Sequence, residues 1–575
     1  MIDVLKAKYM KLNRYSLAAF ISIAFATVLR VVLVVMHWPP TNSDEGTMMI
    51  MAYNIAYKGE RPLNFYQQDY MGTIEAYLGA LLFRLTGGPS IMAMRFGVIF
   101  LTTLFFIAMY FFARLIFSKK MAIVTIALLS VGSIPYLTRQ VIATGGSTQT
   151  LLFGTFAFFL ASWLAMTYQR SLSFQVRLKR LPIYVLYGIV VGLGLWSDMI
   201  VLPVMAFATL LLLFFCWREL LVWGGWLCLI VGGLLGFLPS LLYNASIHKD
   251  PITTLLGLVH GTGSQSMLSM GALWINLVNT IQVSLPTATG LPFCPVNEYP
   301  FLGDNTPRTL QCGIIQSSWS FFYIALVVIG LVSLILAVRH LAKKRKILPE
   351  REFHQELVRL VTQVTLLLCW SGILLVYIYS SGPVSQPGYH ARYLITLLIS
   401  TPAVMSPLYR AASQLKSLAT WQRLRLYGSR ALLALLALIL VIGTGIAFSE
   451  VPRTQAAELS RMDLVANLER IGVTRFYTDY WTCNNLMIAS DRKLLCVSVK
   501  ANLVEHGNRY PPYQQIVENT PNASWMCPKN RYLTIWEYDC LPALNKMMQM
   551  MPPGNYKRYE FDQYVIYKNI RPVAP

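Results

Sequence analysis

The chain has 575 residues, of which 55% are hydrophobic and only 13% charged, and its mean hydropathy is +0.51. Soluble domains carry about 25% charged residues, so this composition excludes a large soluble enzyme and points to a chain solvated mostly by lipid. The formal net charge is +22, from 48 Lys+Arg against 26 Asp+Glu, an excess that in a soluble protein would point to a polyanion such as nucleic acid.

Apolar runs of about 17–25 residues suffice to cross ~30 Å of hydrocarbon. Such runs are placed near 17–36, 91–117, 121–137, 148–168, 183–197, 199–216, 222–243, 320–338, 361–380, 393–409 and 431–449. With the N-terminus inside, inner and outer segments alternate strictly along the chain. The inner ones hold 23 Lys+Arg, whereas the outer loops before residue 450 hold seven. This is the positive-inside pattern. It predicts a multi-pass protein of the plasma membrane with a cytoplasmic N-terminus and an extracytoplasmic C-terminal region. The basic excess therefore reports topology, and no nucleic-acid partner is expected.

Cysteine placement fits this layout. Cys216, Cys228 and Cys369 fall in or at the ends of spans, while Cys294, Cys312, Cys483, Cys496, Cys527 and Cys540 all fall outside. An even outer set fits an oxidising compartment. A Cys294–Cys312 bridge and two bridges in the tail are expected, although six cysteines allow fifteen pairings.

The predicted architecture is a polytopic α-helical membrane domain, 1–449, with outer loops 37–90 and 245–319, and an extracytoplasmic α/β domain, 450–575. In that tail DLVANLERIG reads as a helix, TRFYTDYW, LLCVSV and YLTIWEY as strands, ALNKMMQM as a helix and YKRYEFDQYVIYKN as a strand pair. In loop 37–90 two runs too short to span, 48–57 and 73–86, read as helices lying along the outer membrane surface. Between them lies the polar and aromatic segment Phe65-Tyr66-Gln67-Gln68-Asp69-Tyr70-Met71-Gly72.

Several residues are candidates for chemistry. Asp44 and Glu45 fall in the first turn of a helix, where the macrodipole favours carboxylates. An ionised carboxylate there is also a general base toward a hydroxyl. Glu75 begins the second short helix and is a candidate metal or sugar ligand, with His260 as a possible neutral co-ligand; helix stabilisation and plain solvation are the alternatives. Arg392, in GYHARYL, is a candidate phosphate clamp or an aromatic-belt anchor. Arg30 and Arg95 are intramembrane charges, functional by default unless they snorkel. Tyr70 is a candidate substrate contact, Asp198 reads as a helix cap, and Asp479-Tyr480-Trp481 is either part of an acceptor pocket or a packed strand-end turn.

TNSDEGTMMIMAYNIAYKGE and QQDYMGTIEAYLGALLFRLTG resemble the first outer loop of the GT-C superfamily of integral-membrane glycosyltransferases, nearest the protein-mannosyltransferase and lipid A aminoarabinose transferase group. GYHARYLITLLISTPA is similar to the RYLLPLLPA-type segment near their last spans. The resemblance implies an inverting glycosyltransferase that moves a sugar from a polyprenyl-phosphate donor to an acceptor (lipid, polysaccharide or protein) at the outer membrane face. It implies Asp44 as general base and Glu75 as an acid contacting substrate or a divalent metal ion, with His260 matching only a region; Glu45, Arg392, Tyr70 and Arg30 are the further candidate substrate contacts read from the residues themselves. ATGGSTQT lacks the acidic residue that many relatives carry in the third outer turn. Two rival expectations are a lipid or sugar transporter or flippase and a non-catalytic glycolipid-binding envelope protein.

Overall fold

The computed structural model describes residues 14–169, 174–222, 224–247, 269–295, 309–413, 420–529, 539–552 and 554–570. Among the described residues ten helices are long and apolar enough to cross a membrane, and the chain is a multi-pass membrane protein. Helix α1 is Arg14–Val35, followed outside the span by α2, Ser43–Tyr53, and α3, Ile74–Thr86. Helix α4 is Ile91–Ile116, α5 Lys119–Ser130, α6 Ser147–Thr167, α7 Phe174–Ser197, α8 Leu202–Val222 and α9 Gly225–Ile247. Helices α10, Leu310–Lys343, and α11, Glu350–Ile378, precede α12, Pro387–Ala412, whose residues Ala391–Ser400 form a 3-10 helix. Helix α13, Thr420–Ser449, runs into α14, Val451–Arg470, which leads to the outer domain.

The span expected at 121–137 is not continuous. Helix α5 stops at Ser130, and a single turn, Ile134–Thr138, follows the Val131-Gly132-Ser133 break. Hydrocarbon offers no water to the freed carbonyls at such a break. Arg30 meets them instead. Its guanidinium donates to the carbonyls of Ser130 at 3.1 Å and Leu129 at 3.4 Å, to Ala26 O of its own helix at 2.7 Å, and to the Gln140 side chain. Arg30 is fully buried and acts here as the cap of a broken helix, a placement away from the candidate site.

Helices α7 and α9 pack through facing glycines. A Cβ on Gly188 would lie 2.3 Å from Leu229 O, and one on Gly232 would lie 2.1 Å from Val185 O. Gly188 and Gly192 on one helix, and Gly232 and Gly236 on the other, form the small-xxx-small spacing that lets membrane helices approach closely.

The outer domain contains a five-stranded sheet of β1, Arg475–Asp479, β2, Leu495–Val499, β3, Ser524–Pro528, β4, Tyr556–Phe561, and β5, Tyr564–Asn569. The spatial order is β2-β1-β3-β5-β4. Strand β1 is parallel to β2 and β3, while β5 is antiparallel to β3 and β4. Helices α15, Tyr480–Ala489, α16, Pro511–Glu518, and α17, Leu541–Met550, complete it. The YLTIWEY run, 532–538, lies outside the described residues, and a strand not expected from sequence forms at Ser524–Pro528. The disulfides are Cys294–Cys312, Cys483–Cys496 and Cys527–Cys540.

Helix α2 departs from the sequence expectation of a surface helix, because every residue from Ser43 to Ala52 is buried. It is apolar on all sides past its first turn, so it needs cover all round. The outer domain supplies part of that cover: Ile50 joins the core of Leu464, Phe476 and Leu486. Gly46 lets the backbone of α15 come close, since a Cβ there would lie 2.8 Å from Asn484 O. Asn484 also donates to Thr47 Oγ1 at 2.7 Å. This seam places the start of α2 against the start of α15.

Candidate active site

Helix α2 is capped by Asn42, whose side chain accepts from Glu45 N at 2.9 Å. The cap exposes the first turn to a cavity of about 530 Å³ lined by Asp44, Gln68, Tyr389, Arg392, Tyr480 and Arg509, among others. Tyr480 Oη donates to Asp44 Oδ1 at 2.5 Å, and Tyr389 Oη donates to Oδ2 at 3.5 Å. Arg509 Nη2 lies 3.9 Å from Oδ1, while its Nε donates to Tyr480 Oη at 3.2 Å. Turned so that its oxygen faces Arg509, the Gln68 amide accepts from both terminal nitrogens, at 3.0 and 3.3 Å. Burial, and then the neighbouring Asp44 carboxylate, push the Tyr480 phenol well above its ordinary value. It therefore stays a hydrogen-bond donor at neutral pH.

Arg392 enters from α12. Its Nη1 donates to Tyr389 Oη at 2.7 Å and Nη2 to Tyr393 Oη at 3.2 Å, and the guanidinium carbon lies 4.2 Å from the Tyr389 ring centroid. Its Nε has no hydrogen-bond partner in the structure. Arg139 approaches the same tyrosine ring at 5.7 Å. Burial, and then Arg392, lower the Arg139 guanidinium to about 10. The cavity thus holds one carboxylate, Asp44, and two guanidinium groups, Arg392 and Arg509, an excess of positive charge suited to a phosphate.

Asp44 and Arg392, 348 positions apart in sequence, come together here. Tyr70 lies within the electrostatic reach of Arg392 and Arg509, and burial raises its phenol. Glu45 does not face this cavity. It forms a two-pronged pair with Arg95, Nε to Oε1 at 2.8 Å and Nη2 to Oε2 at 2.6 Å, and accepts from Ala143 N at 3.3 Å. Glu75 is buried elsewhere, accepting from Gly145 N at 2.9 Å and from the Gln149 side chain. It thereby fixes the ATGGSTQT turn. Burial raises Glu75 to about 7, and also raises Asp198, which packs against Gly146, to about 7. Asp198 also caps the turn that follows it, accepting from Ile200 N at 2.9 Å.

The metal expectation rested on Glu75 and His260. His260 lies outside the described residues, and among the described residues no three His, Cys, Asp or Glu side chains converge. Enclosed Glu75 presents no open donor set, so the residues described do not fit a metal centre.

Three contributors were not singled out from sequence for the role their geometry gives them. Tyr389 stands in the quoted GYHARYL, three positions before Arg392. Tyr480 reads from sequence as part of either an acceptor pocket or a packed strand-end turn, not as a partner of Asp44. Arg509, in the loop after β2, carries no sequence signal and is found only through the fold.

No protein-family model matches the sequence, and no curated protein matches it. Among solved structures, the chain is similar to ArnT from Cupriavidus metallidurans in the apo state, with TM-score 0.54 and 12% identity over 96% of this chain and 97% of that one. The same protein bound to undecaprenyl phosphate gives TM-score 0.53 and 12% identity, over 96% and 98%. The oligosaccharyltransferase of Archaeoglobus fulgidus in its apo form gives TM-score 0.49 and 13% identity, over 96% and 73%. The chain shares the fold of ArnT, with a C-terminal α/β domain on a helical membrane domain.

Proposed function

We propose that this protein is an inverting membrane glycosyltransferase, using a polyprenyl-phosphate sugar and an acceptor at the outer face of the plasma membrane, with its N-terminus in the cytoplasm. The observation that carries the reading is Asp44 facing a cavity of about 530 Å³ together with Arg392 and Arg509. The fold shared with ArnT, which was solved bound to undecaprenyl phosphate, supports the choice of donor.

In the proposed step Asp44 takes the proton of an acceptor hydroxyl, a general-base role worth about 10²–10⁴-fold. The acceptor oxygen attacks the anomeric carbon as the bond from that carbon to the phosphate oxygen breaks on the opposite face. The phosphate leaves on its polyprenyl chain, and its developing charge is met by Arg392 and Arg509. Tyr480 and Tyr389 hold the carboxylate in place. The test is to incubate the protein in nanodiscs with a labelled polyprenyl-phosphate sugar and an extract of its native membrane lipids. Release of polyprenyl phosphate with label transferred to a new product supports the reading; donor left intact with every extract fraction contradicts it.

A further inference from the structure

A second and larger cavity, of about 730 Å³, lies beside the first. Its walls come from the loop after α1, the start of α4, the first turns of α14, helix α15 and the β4–β5 turn. Trp481 lines both cavities and is their shared wall, with its ring 6.2 Å from that of Tyr389. The approach to α2 separates them too, since Thr41 lines the larger cavity and Asp44, three residues on, the smaller.

The two cavities differ in charge. Around Asp44 two guanidinium groups outnumber one carboxylate. The larger cavity sets Arg95, Arg453 and Arg461 against Glu450, Glu458 and Asp562. Of these, Arg95 is already bound by Glu45, and Arg461 pairs with Glu458. Three guanidinium groups against three carboxylates leave no positive excess with which to recruit an anion. The cavity also has two chemical ends. Val34, Ile91 and Met92 line it at the outer ends of membrane helices α1 and α4, while Asn485, Trp481 and Tyr564 line it from the outer domain. Aromatic faces and amide groups suit sugar rings and hydroxyls, and an apolar end at membrane height suits a lipid chain.

We infer that this cavity is the acceptor compartment, and that it takes an uncharged, hydroxyl-rich head group on a lipid anchor. The inference rests on the glycosyl-transfer reading of the Asp44 cavity and names its acceptor class. The donor phosphate occupies the cationic cavity, the acceptor head group occupies the neutral one, and the acceptor hydroxyl reaches Asp44 past the edge of Trp481.

Ala457 lines the larger cavity from an exposed face of α14, and His506 lines the smaller one. Ala457→Cys and His506→Cys therefore place one reporter thiol in each. The free cysteines among the described residues, Cys216, Cys228 and Cys369, lie in membrane helices, out of reach of a polar maleimide. Alkylation of each variant is followed in nanodiscs with dodecyl maltoside or dodecyl phosphate added below its micellar concentration. The expected result is at least fivefold slowing of the Ala457→Cys thiol by the maltoside alone, with the phosphate slowing only the His506→Cys thiol. No slowing by the maltoside at position 457, or stronger slowing there by the phosphate, overturns the assignment. A second variant, Ala457→Trp, fills the cavity from an exposed helix position. It is expected to raise the acceptor KM at least tenfold with the donor KM unchanged, and an unchanged acceptor KM overturns the assignment. Maltoside protection that persists in a protein that transfers no sugar would count against the proposed function and leave the neutral cavity standing as a glycolipid site.

Discussion

Asp44 and Glu45 are adjacent acids, and the structure gives them opposite predicted phenotypes. Glu45→Gln keeps the side-chain shape and the contact with Ala143 N, but removes the charge opposite Arg95. Side-chain exposures of 3% for Arg95 and 0% for Glu45 leave the guanidinium little access to water. Breaking one side of a buried pair costs about 3–5 kcal/mol. The retained amide contacts put Glu45→Gln near the lower end, at about 3 kcal/mol. Adding Arg95→Met removes the stranded cation, so the double variant is expected to recover about 2 kcal/mol relative to the sum of the single changes. The assay is denaturant unfolding in mixed micelles, followed by tryptophan fluorescence, as a four-member double-mutant cycle. A Glu45→Gln protein with wild-type stability and a raised donor KM would refute this reasoning and make Glu45 a substrate contact.

Arg392→Lys keeps the charge but loses the fork that reaches Tyr389 and Tyr393 together. The donor KM is expected to rise about tenfold, equivalent to about 1.4 kcal/mol, in donor titrations at saturating acceptor. Gly232→Val sets a Cβ against the Val185 carbonyl at 2.1 Å and must part α7 from α9. A lower melting temperature and loss of monodispersity on size-exclusion chromatography are expected, whereas Gly445→Ala, with open space around it and ordinary helical backbone, leaves the oligomeric profile unchanged. The raised value of Glu75, about 7 against an ordinary 4.5, makes the folded state hold a proton that the unfolded chain releases earlier. Its stabilising contribution is therefore full below about pH 4.5 and is lost as pH rises through 7, by about 3 kcal/mol at 1.36 kcal/mol per pH unit. Thermal unfolding at a series of pH values is expected to show this fall, and Glu75→Gln to flatten it.

The membrane spans were legible because about twenty apolar residues flanked by asymmetric charge leave few alternatives. The break at Gly132 was not, since hydropathy runs on across it and the partner for its carbonyls, Arg30, lies a hundred residues earlier. Hydropathy also missed the burial of α2, because the helix is covered by a domain whose strands begin at Arg475. At the site, Asp44 and Arg392 stood out through short motifs. Sequence does not distinguish Asp44 from Glu45: successive helical residues point about 100° apart, and only the packed structure decides which meets the cavity and which meets Arg95. Tyr480 and Arg509 reach Asp44 from 436 and 465 positions away, through a domain docking that no local pattern encodes. Local composition sets the spans, and long-range packing sets the chemistry.

The most direct measurement is sugar transfer by Asp44→Asn beside the wild-type protein, in nanodiscs, with a polyprenyl-phosphate sugar and an acceptor fraction on which the wild type is active. The substitution is nearly isosteric and keeps the Tyr480 contact. Unchanged thermal stability and donor binding are expected, with single-turnover transfer reduced at least about 10²-fold. Transfer within about twofold of wild type would contradict the assignment of Asp44 as the base.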